Sequence, residues 1–328
     1  MGIQVAAGQR QAKFAIALAA GLLASLANSS QSMADAAVQV AGTSVKMAPP
    51  PGFVPATDFA GFVNAEKQGS FVIAEMPAEA MSQLAPLFGD QEKAAAGFAT
   101  KGIKVDGQEQ IETTAGETAL LLHGTQDTNG ATLDKWMALY AGEKTVMITF
   151  QIPQQNAIDA ATIKAAFASV EAGAAPAANA QLSALPFEVE AAQPFRIIQT
   201  LAGASVLMMA GDKDVDPEGK QPLAIAAYSK ASAPVKDLSA TAEATLKATA
   251  KFAAATITSR EETTFAGTDG IVFQGTLEDK GIKKRFTQSF AVTEDGKVMH
   301  FLASAPDAEY DGVKDAIDEI AASIEFKN

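Results

Sequence analysis

The sequence contains no cysteine and only two histidines in 328 residues. The lack of cysteine excludes disulfide bonds, thiolate zinc sites, cysteine nucleophiles and a lipid-modified N-terminal cysteine. Two histidines exclude a three-histidine metal site. Basic residues are also scarce, because 25 lysines and arginines stand against 38 aspartates and glutamates, for a net charge of −13. Recognition of nucleic acid needs a basic face, so this balance argues against a nucleic-acid partner.

Motifs for common chemistries are missing as well. The sequence has no G-x-S-x-G elbow, no H-E-x-x-H pair and no glycine-rich phosphate loop. It therefore predicts no cofactor and favours a protein without enzymatic activity. Apolar residues, by contrast, make up 48% of the chain, which is enough for a sizeable core. At roughly 150 residues per domain, the length suggests two domains.

The first 36 residues have the parts of a secretory signal peptide. Arg10 and Lys13 supply a positive start, an apolar run covers 14–27, and Ala34-Asp35-Ala36 forms a cleavage site, with Ser32-Met33-Ala34 as a nearby alternative. A membrane anchor is the other interpretation, but a span needs about 20 apolar residues. The sequence therefore predicts a signal peptide at 1–36, a periplasmic or secreted mature protein, and no transmembrane span after cleavage.

A weak repeat of about 150 residues runs through the rest of the chain. The matched pairs are Phe98 with Phe252, Glu112-Thr113-Thr114 with Glu262-Thr263-Thr264, Gly124-Thr125 with Gly275-Thr276, Val146-Met147 with Val298-Met299, and Ser169-Val170-Glu171 with Ser323-Ile324-Glu325. Their common order predicts two copies of one domain. We place these copies at 37–171 and 183–328, with an alanine-rich, uncharged linker at 172–182.

The same order of elements is predicted in both copies: extended segments, a helical region, four more extended segments and a closing helix. In the first copy Pro86 predicts a break in the helical region, and Asp90 caps a second piece. In the second copy a single helix is predicted from Ser239 to Ala254. Strands grouped between helices predict an α+β fold with helices packed on an antiparallel sheet.

This order of elements resembles the PsbP-like fold, so the chain is expected to hold two tandem PsbP-like domains. The first copy is also similar to a group of exported alphaproteobacterial proteins. The residues that carry this likeness are Pro49-Pro50-Pro51-Gly52-Phe53, Phe59-Ala60-Gly61-Phe62, Ser70-Phe71 and Glu75-Met76-Pro77. The PsbP-like resemblance implies an accessory or binding role without catalytic residues, and it transfers no functional residue to this sequence.

The proline-rich stretch gives one candidate ligand site. Three successive prolines hold the backbone extended at low entropic cost, so that Phe53, Phe59 and Phe62 could line a groove. The alternative, which we favour, is a loop whose phenylalanines close the edge of the core.

An acidic loop gives a candidate metal site. Asp212, Asp214, Asp216 and Glu218 lie at alternate positions, as in the first half of a calcium loop. Such a loop also needs glycine at its sixth position and glutamate at its twelfth, where this sequence has Pro217 and Leu223. We therefore predict no metal site and interpret the run as a solvated turn, with calcium binding as the alternative.

Two further features are interpreted as structural. His123 and His300 fall on strands that do not correspond between the copies, which favours satisfied strand histidines over a shared site. The only basic cluster, Lys280 to Arg285, could meet an anionic headgroup or an acidic partner, but its pattern is typical of a solvated hairpin.

Taken together, these patterns predict a non-enzymatic binding or accessory module of the bacterial envelope, which binds an envelope protein or a small ligand. Two alternatives stay open: an envelope hydrolase with a carboxylate-based site, and a binding protein tuned by calcium.

Overall fold

The structure is a computed structural model that describes residues 37–328 except Asn129, Val215, Ser232, Ala250 and Asn328. The predicted signal peptide at 1–36 lies outside the described residues. Within the described part of the chain, no helix has the length and apolar character needed to cross a membrane.

The first half of the described chain contains ten strands and three α-helices. In chain order these are β1 (Val38–Gln39), β2 (Val45–Met47), β3 (Val54–Pro55), β4 (Gly61–Asn64), β5 (Gly69–Pro77), α1 (Ala80–Phe88), α2 (Gln91–Ala99), β6 (Ile103–Glu112), β7 (Thr118–Thr128), β8 (Ala131–Tyr140), β9 (Lys144–Pro153), α3 (Ala160–Ala168) and β10 (Glu171–Ala172).

The second half repeats the order of the sheet strands, with a single helix in the place of α1 and α2. Its elements are α4 (Ala178–Ser183), β11 (Phe187–Glu188), β12 (Phe195–Leu201), β13 (Ser205–Ala210), β14 (Leu223–Lys230), α5 (Leu238–Ala248), β15 (Thr256–Phe265), β16 (Thr268–Asp279), β17 (Ile282–Val292), β18 (Lys297–Pro306), α6 (Asp307–Ala322) and β19 (Glu325–Phe326). The short helix α4 begins inside the segment predicted as a linker, 172–182, and ends one residue beyond it.

Each half is built on a seven-stranded antiparallel sheet. The strand order is β3-β4-β5-β9-β8-β7-β6 in the first sheet and β12-β13-β14-β18-β17-β16-β15 in the second. The two orders correspond strand for strand. The predicted fold class, α+β with helices packed on antiparallel sheets in tandem, is confirmed.

Both faces of each sheet carry a helix, so alternate residues of the central strands are buried on opposite sides. In the first sheet, α3 covers a core that includes Phe71, Ile148 and Phe150. Helices α1 and α2 cover the other face. In the second sheet, α6 packs on one face and α5 on the other. This arrangement makes each sheet a rigid support for the loops at its ends.

Three of the helices begin at an aspartate that acts as the N-cap, and α1 contains a proline. The carboxylates of Asp90, Asp159 and Asp237 accept backbone N–H groups at the starts of α2, α3 and α5. The predicted break at Pro86 is wrong, because α1 continues through it to Phe88. Phe88 is fully buried and its ring packs edge-on against Phe98, so tertiary packing holds the last turn. The helix predicted to reach Ala254 ends earlier, at Ala248.

The same irregularity occurs at the outer edge of both sheets. Strand β6 bulges opposite Gly124, and β15 bulges opposite Gly275. A Cβ atom on Gly124 would lie 2.2 Å from the carbonyl oxygen of Lys104. A Cβ atom on Gly275 would lie 2.1 Å from that of Thr256. The close approach of the two backbones therefore requires glycine at both positions.

Candidate functional site

The two halves contact each other through the loop that follows the proline-rich stretch. The backbone N–H of Ala60 donates to the carbonyl of Ala202 at 2.7 Å. The Tyr228 hydroxyl donates to the Asp58 carboxylate at 3.1 Å, and the ammonium of Lys230 lies 3.4 Å from the same carboxylate. Burial first, and the Asp58 charge second, raise the pKa of Tyr228 well above its usual value. The hydroxyl therefore stays protonated as a donor, and the loop is fixed to the second half of the chain.

Removing this hydroxyl is expected to weaken the contact. Because the acceptor is a charged carboxylate in a partly buried site, Tyr228→Phe should lower the free energy of unfolding by about 1–2 kcal/mol. Urea unfolding of a chain of residues 37–328 measures the loss. Thr114→Ala is the control, since the Thr114 side chain is exposed, and it should change stability by less than about 0.5 kcal/mol. Equal stability of Tyr228→Phe and the parent would show that the contact does not hold the halves together.

A cleft of about 630 Å³ lies where the first sheet meets the second. Its apolar wall comes from Leu207 and Met209 on β13 and from Leu223 on β14. Met209 pairs directly with Leu223 in the sheet. The opposite rim is formed by Pro77, at the end of β5, and by the turn before β9. Long strands of two different sheets thus hold both sides of the cleft in place.

Charged groups line the remaining part of the cleft, and several are paired. The Asp214 carboxylate lies 2.5 Å from the guanidinium of Arg196. The floor carries Lys251 and Lys284, whose ammonium groups lie 3.2 Å and 3.6 Å from the carboxylate of Asp279. The cleft therefore combines an apolar wall with a small group of charges, as ligand sites commonly do.

The acidic loop lies at the rim of this cleft, but its carboxylates do not converge. Asp212 is exposed, Asp214 pairs with Arg196, and Glu218 lies 2.7 Å from the ammonium of Lys220. Among the described residues, no group of three or more carboxylates and histidines is arranged to hold a metal ion.

The Asp216 carboxylate is hydrogen-bonded to the backbone of its own loop. It accepts the backbone N–H of Gly219 at 3.0 Å and that of Gln221 at 2.6 Å. Burial raises the pKa of Asp216, but these N–H bonds outweigh that effect, and the pKa lies below its usual value. The charged carboxylate therefore closes the turn between β13 and β14.

The three candidate phenylalanines do not surround a groove. Phe62 is 1% exposed, and the ring of Phe53 lies 5.4 Å from that of Phe71 in the core. Phe59 is half-buried beside a small cavity of about 80 Å³. Because two of the three rings are needed to fill the core, the groove proposed from the sequence is not formed, and the loop closes the core edge instead.

His123 takes part in a cluster that the sequence does not reveal. Its Nδ1 lies 2.6 Å from the Asp106 carboxylate, and its Nε2 lies 2.7 Å from that of Asp134. The Trp136 ring packs on the imidazole at 4.3 Å, and its indole N–H donates to Asp134. Asp106 is the extra residue of the bulge in β6. Because both ring nitrogens are occupied by carboxylates, neither is free to act as a base or a ligand.

His300 lies at a second cavity, of about 770 Å³, between α5 and the sheet. The Gln288 side-chain nitrogen donates to the carbonyl of Ala242 and also contacts His300 Nε2 at 3.1 Å. Because a carbonyl oxygen only accepts, the Gln288 nitrogen is the donor, and His300 Nε2 accepts from it. Burial lowers the pKa of His300 to about 4. The imidazole is therefore neutral at physiological pH.

Comparisons with known proteins give matches only at the level of structure. No protein-family model matches the chain, and no curated protein matches its sequence. LpqN of Mycobacterium tuberculosis, described as involved in cell envelope biogenesis, is 17% identical with a TM-score of 0.36, over 43% of this chain and 83% of LpqN. Cyanobacterial PsbP (CyanoP) of Synechocystis is 14% identical with a TM-score of 0.29, over 43% of this chain and 82% of CyanoP.

A third structure spans most of the chain. The immunity protein TplEi of T6SS from Pseudomonas aeruginosa is 10% identical with a TM-score of 0.30, over 87% of this chain and 95% of TplEi. In fold, the chain is similar to PsbP-like proteins. The order of strands and helices in each half is the one on which that predicted resemblance rests. The likeness to exported alphaproteobacterial proteins through the proline-rich stretch stays a prediction.

Proposed function

We propose that this chain is an exported, non-enzymatic binding module of the bacterial envelope, and that its ligand binds in the cleft. The proposal includes the predicted signal peptide at 1–36 and a tandem duplication, with domains at 37–171 and 183–328 joined at 172–182. The matching strand orders and the matching glycines opposite the two bulges support the duplication.

The cleft is the observation that carries this proposal. Its volume of about 630 Å³ is within the range of small-molecule sites, which is about 300–1,000 Å³. In the apolar wall, Leu207 and Leu223 are half-buried and offer surface that a ligand would remove from water, whereas Met209 is already buried. Its rims belong to two sheets that the contacts of Asp58 and Ala60 hold together, so that little order has to be gained on binding.

The hydrolase alternative has one specific observation in its favour, the convergence of Asp106 and Asp134 on His123. A general base or nucleophile needs a nitrogen or oxygen free to meet the substrate. Both His123 nitrogens are already bonded to carboxylates at 2.6 and 2.7 Å. The cluster therefore fits a structural tie between strands better than a catalytic site. The calcium alternative is weakened by the partners of Asp214, Asp216 and Glu218.

Filling the cleft tests the proposal. Leu207→Trp places a large ring against the apolar wall, whereas Leu133→Trp adds the same ring at a half-buried position on β8, away from the cleft. The mature chain and both variants are incubated with a small-molecule extract of a bacterial envelope and examined by native mass spectrometry. We expect a retained ligand in the parent and in Leu133→Trp, and at least a tenfold loss in Leu207→Trp. A ligand retained equally by all three, or by none, would contradict the proposal.

A further inference from the structure

Lys284 is an unusual residue for the floor of a cleft. Its side chain is 8% exposed, although lysine is almost never buried without a close partner. It lies on β17, on the same face as the fully buried Phe286. Its neighbours in sequence, Lys283 and Arg285, lie on the other face. The sequence interpretation of this run as solvated is therefore wrong at Lys284. Alternation places this one lysine on the inner side of the sheet.

The ammonium of Lys284 is only loosely paired. Its nearest carboxylate, that of Asp279, lies 3.6 Å away, beyond hydrogen-bond distance, and Asp279 is shared with Lys251 at 3.2 Å. The ammonium donates no hydrogen bond to a described residue. One carboxylate thus serves two cations. The Lys284 ammonium lines the cleft, where a ligand could supply the acceptor that it lacks.

The other carboxylates around the cleft do not pair with the Lys284 ammonium. Asp214 is paired with Arg196, and Asp216 is held by backbone N–H groups. On the facing rim, Glu143 is exposed and lies next to Lys144 in sequence, and both line the cleft. Lys284 is therefore the buried cation of the cleft that has no acceptor within hydrogen-bond distance among the described residues, and it lies at the foot of the apolar wall.

From this arrangement we propose that the cleft binds a small amphiphile with one anionic head group, which the Lys284 ammonium receives, and an apolar body that lies along Leu207, Met209 and Leu223. The inference rests on the proposed function and gives its ligand a chemical class. A carboxylate or a phosphate monoester would supply the missing acceptor, and a charge-assisted bond would replace the long contact to Asp279. The apolar wall would select against a head group that lacks a tail.

Three probes separate the contribution of the anionic head group from that of the apolar tail. They are dodecanoate, 1-dodecanol and acetate, each titrated into a chain of residues 37–328 by isothermal titration calorimetry. We expect dodecanoate to bind at least about tenfold more tightly than dodecanol, since a hydrogen bond to a charged group contributes about 1.5–3 kcal/mol. Acetate should bind too weakly to measure. Lys284→Met should reduce the affinity for dodecanoate by about tenfold and leave that for dodecanol unchanged, whereas Lys284→Arg should keep most of it.

Lys283→Met is the matched control, because Lys283 is the exposed neighbour on the opposite face, and it should bind like the parent. Thermal unfolding of each variant shows whether it is folded, and Lys284→Gln replaces Lys284→Met if the latter is not. Equal affinities for dodecanoate and dodecanol, or a dodecanoate affinity that does not respond to Lys284, would overturn the anionic class while leaving the cleft as a binding site. Binding of both probes that persists in Leu207→Trp would overturn the cleft itself.

Discussion

Gly275→Ala is expected to lower the free energy of unfolding by about 3 kcal/mol, the upper part of the range for overpacking in a well-packed core. The added Cβ would lie 2.1 Å from the carbonyl oxygen of Thr256 and 2.7 Å from the ring of Phe286. Neither neighbour can move easily, because the Thr256 carbonyl belongs to the strand backbone and the Phe286 ring is fully buried. The strands β15 and β16 must separate at the bulge. Urea or thermal unfolding of a chain of residues 37–328 measures the effect.

Two further glycines sharpen this test. Gly124→Ala in the first sheet should be destabilising by a similar amount, because it meets the carbonyl of Lys104 in the same way. Gly312→Ala should have the opposite sign and stabilise the protein by about 0.5–1 kcal/mol, since Gly312 lies exposed within α6 and an added Cβ would meet no atom within 4 Å. If Gly275→Ala were as stable as the parent, the close backbone approach at the bulge would be incorrect.

Stability should fall between pH 6.5 and pH 4 because of His300. Burial lowers the pKa of this imidazole from 6.5 to about 4, so the unfolded chain takes up a proton in this range while the folded chain does not. The stability present above pH 6.5 is therefore lost as the pH falls towards 4, and no further loss from this group occurs below that. A difference of about 2.5 pH units corresponds to at most about 3 kcal/mol.

His300→Gln provides the comparison, because it removes the titrating group and keeps an acceptor for the Gln288 side chain. Unfolding in urea at pH 7.5 and at pH 4.5 gives the loss on acidification for each protein. The parent is expected to lose about 2–3 kcal/mol more than the variant over this interval. Parallel losses in the two proteins would show that His300 is as free to protonate in the folded state as in the unfolded one.

The fold could be predicted from sequence because local signals agree with it. Alternating apolar residues indicate the long strands, and Asp90 marks the start of α2. The paired glycines Gly124 and Gly275 do correspond in the structure. The match of Val146-Met147 with Val298-Met299 does not, since Val146 faces the closing helix of its half whereas Val298 faces α5. A similarity of letters does not fix which face of a strand a residue occupies.

The cleft could not be predicted in the same way. Pro77, Met209, Lys251 and Lys284 meet only after two sheets have formed and packed together, and no short motif joins them. The position of Lys284 could be predicted in part, because it lies two residues before Phe286, and this spacing places both side chains on the inner face of the strand. The His123 cluster also depends on a bulge, which brings Asp106 to the imidazole.

Chemical-shift mapping of the mature chain, labelled at leucine, isoleucine and methionine methyl groups and titrated with dodecanoate, tests the binding cleft most directly. Saturable shifts are expected at Leu207, Met209 and Leu223, with methyl groups of the first core, such as Ile148, unchanged. Shifts centred on other methyl groups, or no shifts at millimolar dodecanoate, would contradict the assignment of the cleft as the site at which this protein binds its ligand.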